Sequence, residues 1–410
     1  MLAELGIVID ALKANFYGLE TSKKQLERQN ALNISGLLEL AHHHGCIWEV
    51  VAYCKCHDLF TSQEIDLARA LTMQSTAHAM QHEQALIHLS AVFEDNGLPY
   101  AVLKGAAIYP QFRSSSEQQS RQTADIDLLV SSNDLAAAVT LLLGLGYECD
   151  DCSDPLLVAN FVRQHDVWFR QRDLSFSLTA HSIQVDLHWR VAYPFSLPMQ
   201  TPDLLSRTVI VDIQKHAVKC LSFNDHFILL CVHGYLDQFF ILKHLVDIFW
   251  ATQHPDFDHE KVYSLAKFYG VEKHVDASCL TADLFFGLNQ GNDNVLEAAA
   301  LGNGIIEKKG VTNSVKRFNE YSVSTLRRYQ KFSGKPPRLH QAEGVWSFQD
   351  KVAYIQHQIN TRSQKAFVLA PLIHRLKYDI QMIEVKPRRC SALLAWPLVY
   401  LKKLVSGVLP

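Results

Sequence analysis

The chain has 410 residues, of which 48% are hydrophobic and 20% charged, with a formal net charge of −3. This composition is typical of a globular protein with two or three domains, and it excludes a strongly basic surface over the whole molecule. Nine cysteines, an odd number scattered over a long chain, argue against a disulfide framework and predict a reducing, cytoplasmic environment.

The first part of the chain, residues 1 to about 95, is predicted to be helical, because apolar residues such as Leu86 and Leu89 recur at helical spacing. Met1–Phe16 has no basic segment followed by a long apolar run, so we do not expect a secretory signal. Residues 42–57 are rich in histidine and cysteine. A structural zinc site there is an alternative to the favoured interpretation, free cysteines and surface histidines.

The middle of the chain changes to short apolar runs separated by turn-forming residues. The pattern predicts strands and helices in alternation: strands Tyr100–Leu103, Ala124–Val130, Val167–Phe169 and Ser182–Trp189, with helices Ala106–Tyr109 and Leu135–Leu145. Gly146 is placed to end the second helix. The polar segment Pro110–Thr123 is predicted to be a loop, and loops longer than about 12 residues are often functional or disordered. An α/β or α+β unit is therefore expected.

From about Asn224 onward the pattern is helical again, and Lys351–Glu384 is predicted to form one or two long helices. No run reaches the ~18 consecutive apolar residues that a spanning helix needs. Ala392–Leu409 is the most apolar terminal segment. Pro397 and two lysines interrupt it, so a docked helix is favoured over weak contact with a membrane surface.

The acidic sequence Asp125-Ile126-Asp127 lies on the second predicted strand. Because side chains alternate along a strand, Ile126 points to the core while Asp125 and Asp127 share the opposite face. Two neighbouring carboxylates repel each other unless a positive charge compensates them. A divalent cation such as Mg²⁺, which prefers oxygen ligands, is a natural partner.

A third carboxylate lies on the predicted strand that ends at Trp189. Gln184, Asp186 and His188 alternate there with apolar residues and share one face. If the two strands pair, Asp186 meets the Asp125/Asp127 pair, and three carboxylates can hold metal ions for an in-line displacement. Asp186 can also take the proton of an attacking hydroxyl. His188 either lines the site or caps the strand face.

Lys104 and Gly105 stand where the first predicted strand ends and a helix begins. Exposed backbone N–H groups at a helix start suit a phosphate, and Gly105 allows the phosphate to approach the backbone. Lys104 adds a point charge for a triphosphate. His233, further along the chain, is interpreted by default as a core histidine, and Lys243 with Asp247 as a possible pair on a helix surface.

Taken together, the order Lys-Gly, Asp-x-Asp and a later Asp resembles the nucleotidyltransferase superfamily of the DNA polymerase β type. More narrowly, the chain resembles a bacterial family of uncharacterised nucleotidyltransferases. The residues that carry this resemblance are Leu103-Lys104-Gly105, Arg121, Asp125–Val130, Gly146-Tyr147, Asp186–Trp189, His233-Gly234 and Leu242–Asp247. The wider superfamily usually has Gly-Gly or Gly-Ser at the phosphate turn, whereas Ala106 follows Gly105 here.

The resemblance implies an α+β fold with a mixed sheet and flanking helices. We expect an N-terminal helical segment, a catalytic domain and a C-terminal helical domain, at residues 1–90, 91–215 and 216–410. It also implies three catalytic residues that bind Mg²⁺ or Mn²⁺, namely Asp125, Asp127 and Asp186. The residues that it implies for nucleotide binding are Lys104, Gly105, Arg121 and His188. For Arg121, a salt bridge to Asp125 or Asp127 is the alternative.

The function implied is transfer of a nucleoside monophosphate from a nucleoside triphosphate to an acceptor hydroxyl, with release of pyrophosphate. The acceptor is left open among a saccharide, a lipid, a peptide, a protein and tRNA. The near-neutral net charge weakens the case for tRNA. Two alternatives remain, an inactive binding or regulatory protein with this fold and a nucleotidyltransferase of a toxin–antitoxin pair.

Overall fold

The computed structural model describes residues 2–18, 32–112, 122–165, 172–179, 182–192, 196–237, 239 and 241–287. Within this part of the chain, helices come first and last and a sheet lies between them. The helices are α1 (Leu2–Tyr17), α2 (Ile34–His43), α3 (Ile47–Cys56), α4 (Ser62–Asp95), α5 (Ile108–Phe112), α6 (Leu135–Gly144), α7 (Pro155–His165), α8 (Thr201–Ser206), α9 (Phe223–Leu236), α10 (Leu242–Gln253), α11 (His259–Tyr269) and α12 (Glu272–Phe286).

The strands form one mixed sheet. They are β1 (Tyr100–Val102), β2 (Ile126–Val130), β3 (Glu148–Cys149), β4 (Asp173–Leu178), β5 (Ile183–His188), β6 (Val209–Ile213) and β7 (His216–Cys220), in the spatial order β3-β4-β5-β2-β1-β7-β6. Strand β2 runs parallel to β5 and antiparallel to β1. A mixed sheet with flanking helices is the α+β fold that the sequence predicts.

Local sequence accounts for where the elements begin and end. The long helix α4 begins after Thr61, whose hydroxyl accepts the backbone N–H of Glu64, while the Glu64 carboxylate accepts the backbone N–H of Thr61. This reciprocal pair satisfies two N–H groups that a helix start leaves without partners. Gly146 follows α6 with φ +87°, the left-handed conformation that glycine adopts without strain.

Both faces of the sheet are covered. Ile126, Leu128 and Val130 pack on one face with apolar side chains of α4, α6 and α7. Leu129, on the opposite face, belongs to a second core that includes side chains of α1, α2, α3, α9 and α10. Asp127 therefore shares its face with Leu129 and lies between the sheet and the helices that cover this face.

Several predicted boundaries are wrong in detail. Strand β2 begins at Ile126, two residues after the predicted start, and helix α5 runs to Phe112, into the predicted loop. Strand β4 was not predicted, although Leu174 and Phe176 alternate with polar residues there. Strand β7 continues the sheet to Cys220. The division into domains at residues 90 and 215 stays a prediction.

Some predictions concern parts of the chain outside the described residues: the strand Val167–Phe169, the helices in Lys351–Glu384 and the segment Ala392–Leu409. Among the residues that the structure describes, no helix combines the length and apolar character needed to cross a membrane.

Candidate active site

The pairing of β2 with β5 brings two of the predicted carboxylates together. The register sets Asp127 opposite Asp186, and β4 sets Ser175 next to Asp186 on the far side. Paired residues in neighbouring strands point to the same face, so the three side chains form one row. The Ser175 hydroxyl donates to Asp186 Oδ1 at 2.7 Å, which fixes the orientation of this carboxylate from the β4 side.

Asp127 is the buried centre of the site, with 1% of the residue exposed. Its Oδ1 lies 3.1 Å from Lys104 Nζ and 2.9 Å from His188 Nε2. Its Oδ2 is buried and has no hydrogen-bond partner among the described residues. Burial opposes ionisation, but the charge of Lys104 and the hydrogen bond from His188 hold the pKa of Asp127 well below its usual range.

Asp186 has the opposite electrostatic character. Burial, followed by the negative charges of Asp127 and Asp125, raises the pKa of the Asp186 carboxyl to about 6. Two acids on neighbouring strands thus differ in proton affinity, because a lysine lies beside Asp127 whereas other carboxylates lie beside Asp186. A carboxyl with a pKa of about 6 can accept a proton near neutral pH.

Asp125 lies just before β2 and is half-buried. Burial and the charge of Asp127 raise the pKa of Asp125, so the electrostatic coupling between the two acids matches the repulsion expected from the sequence. The Thr123 hydroxyl donates to the backbone carbonyl of Asp125 at 2.8 Å. Thr123 therefore holds the chain as it enters the site, a role that the sequence did not indicate.

The Lys104-Gly105 turn packs closely against this entering segment. Gly105 has φ +70°, and a Cβ at this position would lie 3.2 Å from Thr123 Oγ1. The turn therefore favours glycine both for its conformation and for its close approach. The superfamily's second glycine or serine is replaced by Ala106, but a hydroxyl group, that of Thr123, lies beside the turn.

Lys104 links the carboxylates to the covering helices. Its side chain is 18% exposed, and Asp127 followed by Asp125 raises the pKa of Lys104 in spite of burial. On the side away from Asp127, Lys104 Nζ lies 3.4 Å from His233 Nε2 on α9. His233, for which a core position was the default interpretation, is in fact half-buried at the edge of this site.

His188 lines the site. Nε2 contacts Asp127, and Nδ1 lies 3.5 Å from Asp173 Oδ2 on β4. The ligating atoms of Asp127, Asp186 and His188 all lie within 4.8 Å of one another, so this group can hold a metal ion. Asp173 and Ser175 were missed because β4 was missed, although the alternation along Asp173–Leu178 could have revealed them.

Lys243 on α10 reaches the same site from the helical side. Its Nζ donates to the backbone carbonyl of Gln122 at 3.3 Å, and its charge, like that of Lys104, partly opposes the rise in the pKa of Asp125. A Cβ on Gly45 would lie 2.9 Å from Lys243 Cδ, so the lack of a side chain at position 45 leaves room for the Lys243 side chain. The alternative of a Lys243–Asp247 surface pair is wrong, because Asp247 is only 1% exposed.

The remaining predictions have mixed outcomes. Arg121 lies outside the described residues. The described residues contain two groups of at least three side chains that could hold a metal ion. Neither group includes a residue of 42–57. Cys54 and Cys56 of that segment are free thiols.

Comparison with known proteins agrees with the motifs. No curated protein matches the chain. The family model described as uncharacterised nucleotidyltransferase matches residues 30–287, which include every described residue of the site. Because this match covers more than half of the sequence, the chain belongs to the family of uncharacterised nucleotidyltransferases.

Proposed function

We propose that the protein transfers a nucleoside monophosphate from a nucleoside triphosphate to an acceptor hydroxyl. The acceptor oxygen forms a bond to the α-phosphorus, the bond from that phosphorus to the pyrophosphate oxygen breaks, and the hydroxyl proton leaves to a base. The observation that carries the proposal is the register of β2 and β5, which pairs Asp127 with Asp186 and aligns both with Ser175.

The carboxylate cluster fits a divalent cation, Mg²⁺ or Mn²⁺. Asp127 Oδ2 is buried and has no hydrogen-bond partner among the described residues, which is costly unless a cation or donor satisfies it. Asp125, Asp127 and Asp186 would hold the ion, and oxygen donors are what these cations prefer. When bound, such an ion neutralises the negative charge that develops on the transferring phosphoryl group.

The residues around the acids have complementary tasks. Lys104 and the Gly105 turn would bind the triphosphate, one by charge and the other by close approach of the backbone. Arg121 would add a second cation. His188, tied to Asp127, orients that carboxylate and faces the nucleotide. Asp186, with its raised pKa of about 6, would accept the proton of the attacking hydroxyl.

The acceptor is a saccharide, a lipid, a peptide, a protein or tRNA, and the site chemistry is the same for all five. The formal net charge of −3 is unfavourable for a large RNA. The alternatives are an inactive fold that only binds a partner and a toxin–antitoxin enzyme. The first would not need the repelling pair of buried Asp127 and half-buried Asp186, which is costly without a cation.

Isothermal titration tests the proposal directly. ATP, GTP, CTP and UTP are each titrated with Mg²⁺ into the full chain and into the Asp127→Asn/Asp186→Asn double variant. We expect at least one nucleotide to bind the wild type in a Mg²⁺-dependent manner and to lose this binding in the double variant. Asp95→Asn, an exposed acid at the end of α4, is the matched control and should bind as the wild type does.

Two other outcomes would contradict the proposal. Folded wild-type protein that binds no nucleotide with Mg²⁺ or Mn²⁺ would favour the inactive, partner-binding alternative. Binding that survives in the double variant would place the nucleotide away from the carboxylates. Thermal unfolding of each variant separates both outcomes from a simple loss of the fold.

A further inference from the structure

A second cluster of metal-ligating side chains lies across Lys104 from the carboxylates. It consists of His233 on α9, Asp237 just after α9 and His244 on α10, and their ligating atoms lie within 4.8 Å of one another. His233 Nδ1 is 3.2 Å from Asp237 Oδ2. All three residues are partly exposed, with 20% of the His233 side chain and 34% of the Asp237 side chain accessible, so an ion can reach them.

The turn between α9 and α10 brings the cluster together. There is no room for a side chain at Gly234, because a Cβ there would lie 2.7 Å from the Phe239 ring and 3.7 Å from His244 Cβ. This close approach lets Phe239 pack directly on α9 and draws α10 against it. The His233 and His244 rings meet edge to face, with their centroids 5.3 Å apart. The cluster is thus held in place by helix packing.

The chemistry of the donors differs from that of the carboxylate cluster. Two imidazoles and one carboxylate are characteristic of Zn²⁺ and related transition-metal ions, whereas Mg²⁺ prefers oxygen. Burial, together with the positive charge of Lys104, lowers the pKa of His233 well below its usual value. A histidine that stays neutral is in the form that binds metal.

We propose that His233, Asp237 and His244 form a second metal site, which takes a Zn²⁺-class ion and leaves a coordination position open. The site is independent of the proposed nucleotidyl transfer, because it shares no ligand with the carboxylate cluster. Three protein ligands with an open position is the arrangement of exchangeable zinc sites rather than of closed structural ones.

Metal binding at this site has a consequence for Lys104. An ammonium group only donates, so Lys104 donates to His233 Nε2, and Nδ1 then carries the ring proton toward Asp237. An ion bound to Nε2 occupies the lone pair that accepts the hydrogen bond from Lys104. An ion on Nδ1 moves the ring proton to Nε2, which can then no longer accept. In either case the Lys104–His233 contact breaks, and Lys104 retains only its carboxylate partner.

The test is equilibrium dialysis of the full-length chain against Zn²⁺, in the Asp127→Asn/Asp186→Asn background that disables the carboxylate cluster. We expect one equivalent of Zn²⁺ to remain bound, and His244→Ala or His233→Ala to weaken it at least about tenfold, since even changes next to metal ligands cost that much. Adding His88→Ala, an exposed histidine on α4, should leave binding unchanged.

The Lys104→Met variant distinguishes a metal-binding cluster from one that has only a structural role. Removing the neighbouring charge and the competing hydrogen bond should tighten Zn²⁺ binding, whereas the same change weakens triphosphate binding if the transfer proposal is right. The metal site is refuted if folded protein in the disabled background binds no Zn²⁺, or if both histidine variants keep full affinity. These results do not depend on whether any nucleotide binds.

Discussion

Two clusters meet at Lys104, and they are built in different ways. The carboxylate cluster lies on paired strands, where the register between β2 and β5 sets Asp127 against Asp186. The histidine cluster lies on two helices whose contact depends on Gly234 and on the packing of Phe239. A strand register is a repeating geometry that a sequence pattern can predict, whereas a helix contact depends on one local fit.

The clusters also differ in charge. Acids dominate the first. Burial and the repulsion between the acids raise the pKa of Asp186, while the charge of Lys104 lowers the pKa of Asp127. Imidazoles dominate the second, and burial keeps His233 neutral. One cluster therefore fits a hard cation with phosphates and the other a softer transition metal, so variants can separate them.

The largest effect is expected for Asp127→Asn. This change removes the central carboxylate charge, and loss of a metal ligand worth several kcal/mol of transition-state stabilisation should reduce nucleotidyl transfer roughly 10³-fold or more. Steady-state measurement of pyrophosphate release checks it, once the titration has named the nucleotide. Zn²⁺ binding by the histidine cluster should persist. A variant that retains most of its transfer rate would remove Asp127 from the active site.

Gly234→Ala should damage the histidine cluster alone. The added methyl group would overlap the Phe239 ring, and such overpacking costs about 1–3 kcal/mol of unfolding free energy. Denaturant unfolding measures the loss, and dialysis should show weaker Zn²⁺ binding. Gly144→Ala is the control, because a Cβ there meets nothing within 4 Å. Equal stability of the two variants would show that the α9–α10 contact tolerates a side chain.

Gly105→Ala is the corresponding glycine substitution at the carboxylate cluster. Its backbone has φ +70°, and an L side chain in this conformation costs about 1–2 kcal/mol. Gly97→Ala has the same strain at φ +63° but meets no atom within 4 Å. Both variants should lose stability, Gly105→Ala at least as much because its Cβ also lies 3.2 Å from Thr123 Oγ1, and only Gly105→Ala should weaken nucleotide binding. If the two variants bind the nucleotide with equal affinity, the Gly105 turn does not contact the triphosphate.

The smallest effect near neutral pH is a pH dependence at His44, which accepts the backbone N–H of Leu242 at the start of α10. Burial lowers the pKa of His44 from 6.5 to about 3. Since the unfolded chain takes up the proton first, stability falls as the pH drops from about 6.5 toward 3, by at most about 1.4 kcal/mol per pH unit. His44→Asn, compared with His88→Asn, should flatten this slope in urea unfolding; an unchanged slope would assign it to other groups.

The failures of sequence reasoning have a common cause. Strand β4 was missed, and with it Ser175 and Asp173, because its alternation covers only six residues, three of which are polar. His233 and Lys243 were interpreted from their own helices, where a core histidine and a surface lysine are ordinary. Their neighbours in the structure, Lys104 and Gln122, are more than 100 residues away in sequence, so no local pattern could reveal them.

The sequence by itself predicted an α/β or α+β unit, the Lys104-Gly105 turn, and the alternation that sets Asp127 and Asp186 on the polar faces of their strands. These follow from local periodicity and backbone geometry, which a sequence carries directly. Only the tertiary structure decided that His188 binds Asp127, that the two acids have opposite pKa shifts, and that Lys104 joins two clusters. Those properties arise from burial and from contacts between distant segments, and both depend on how the helices pack on the sheet.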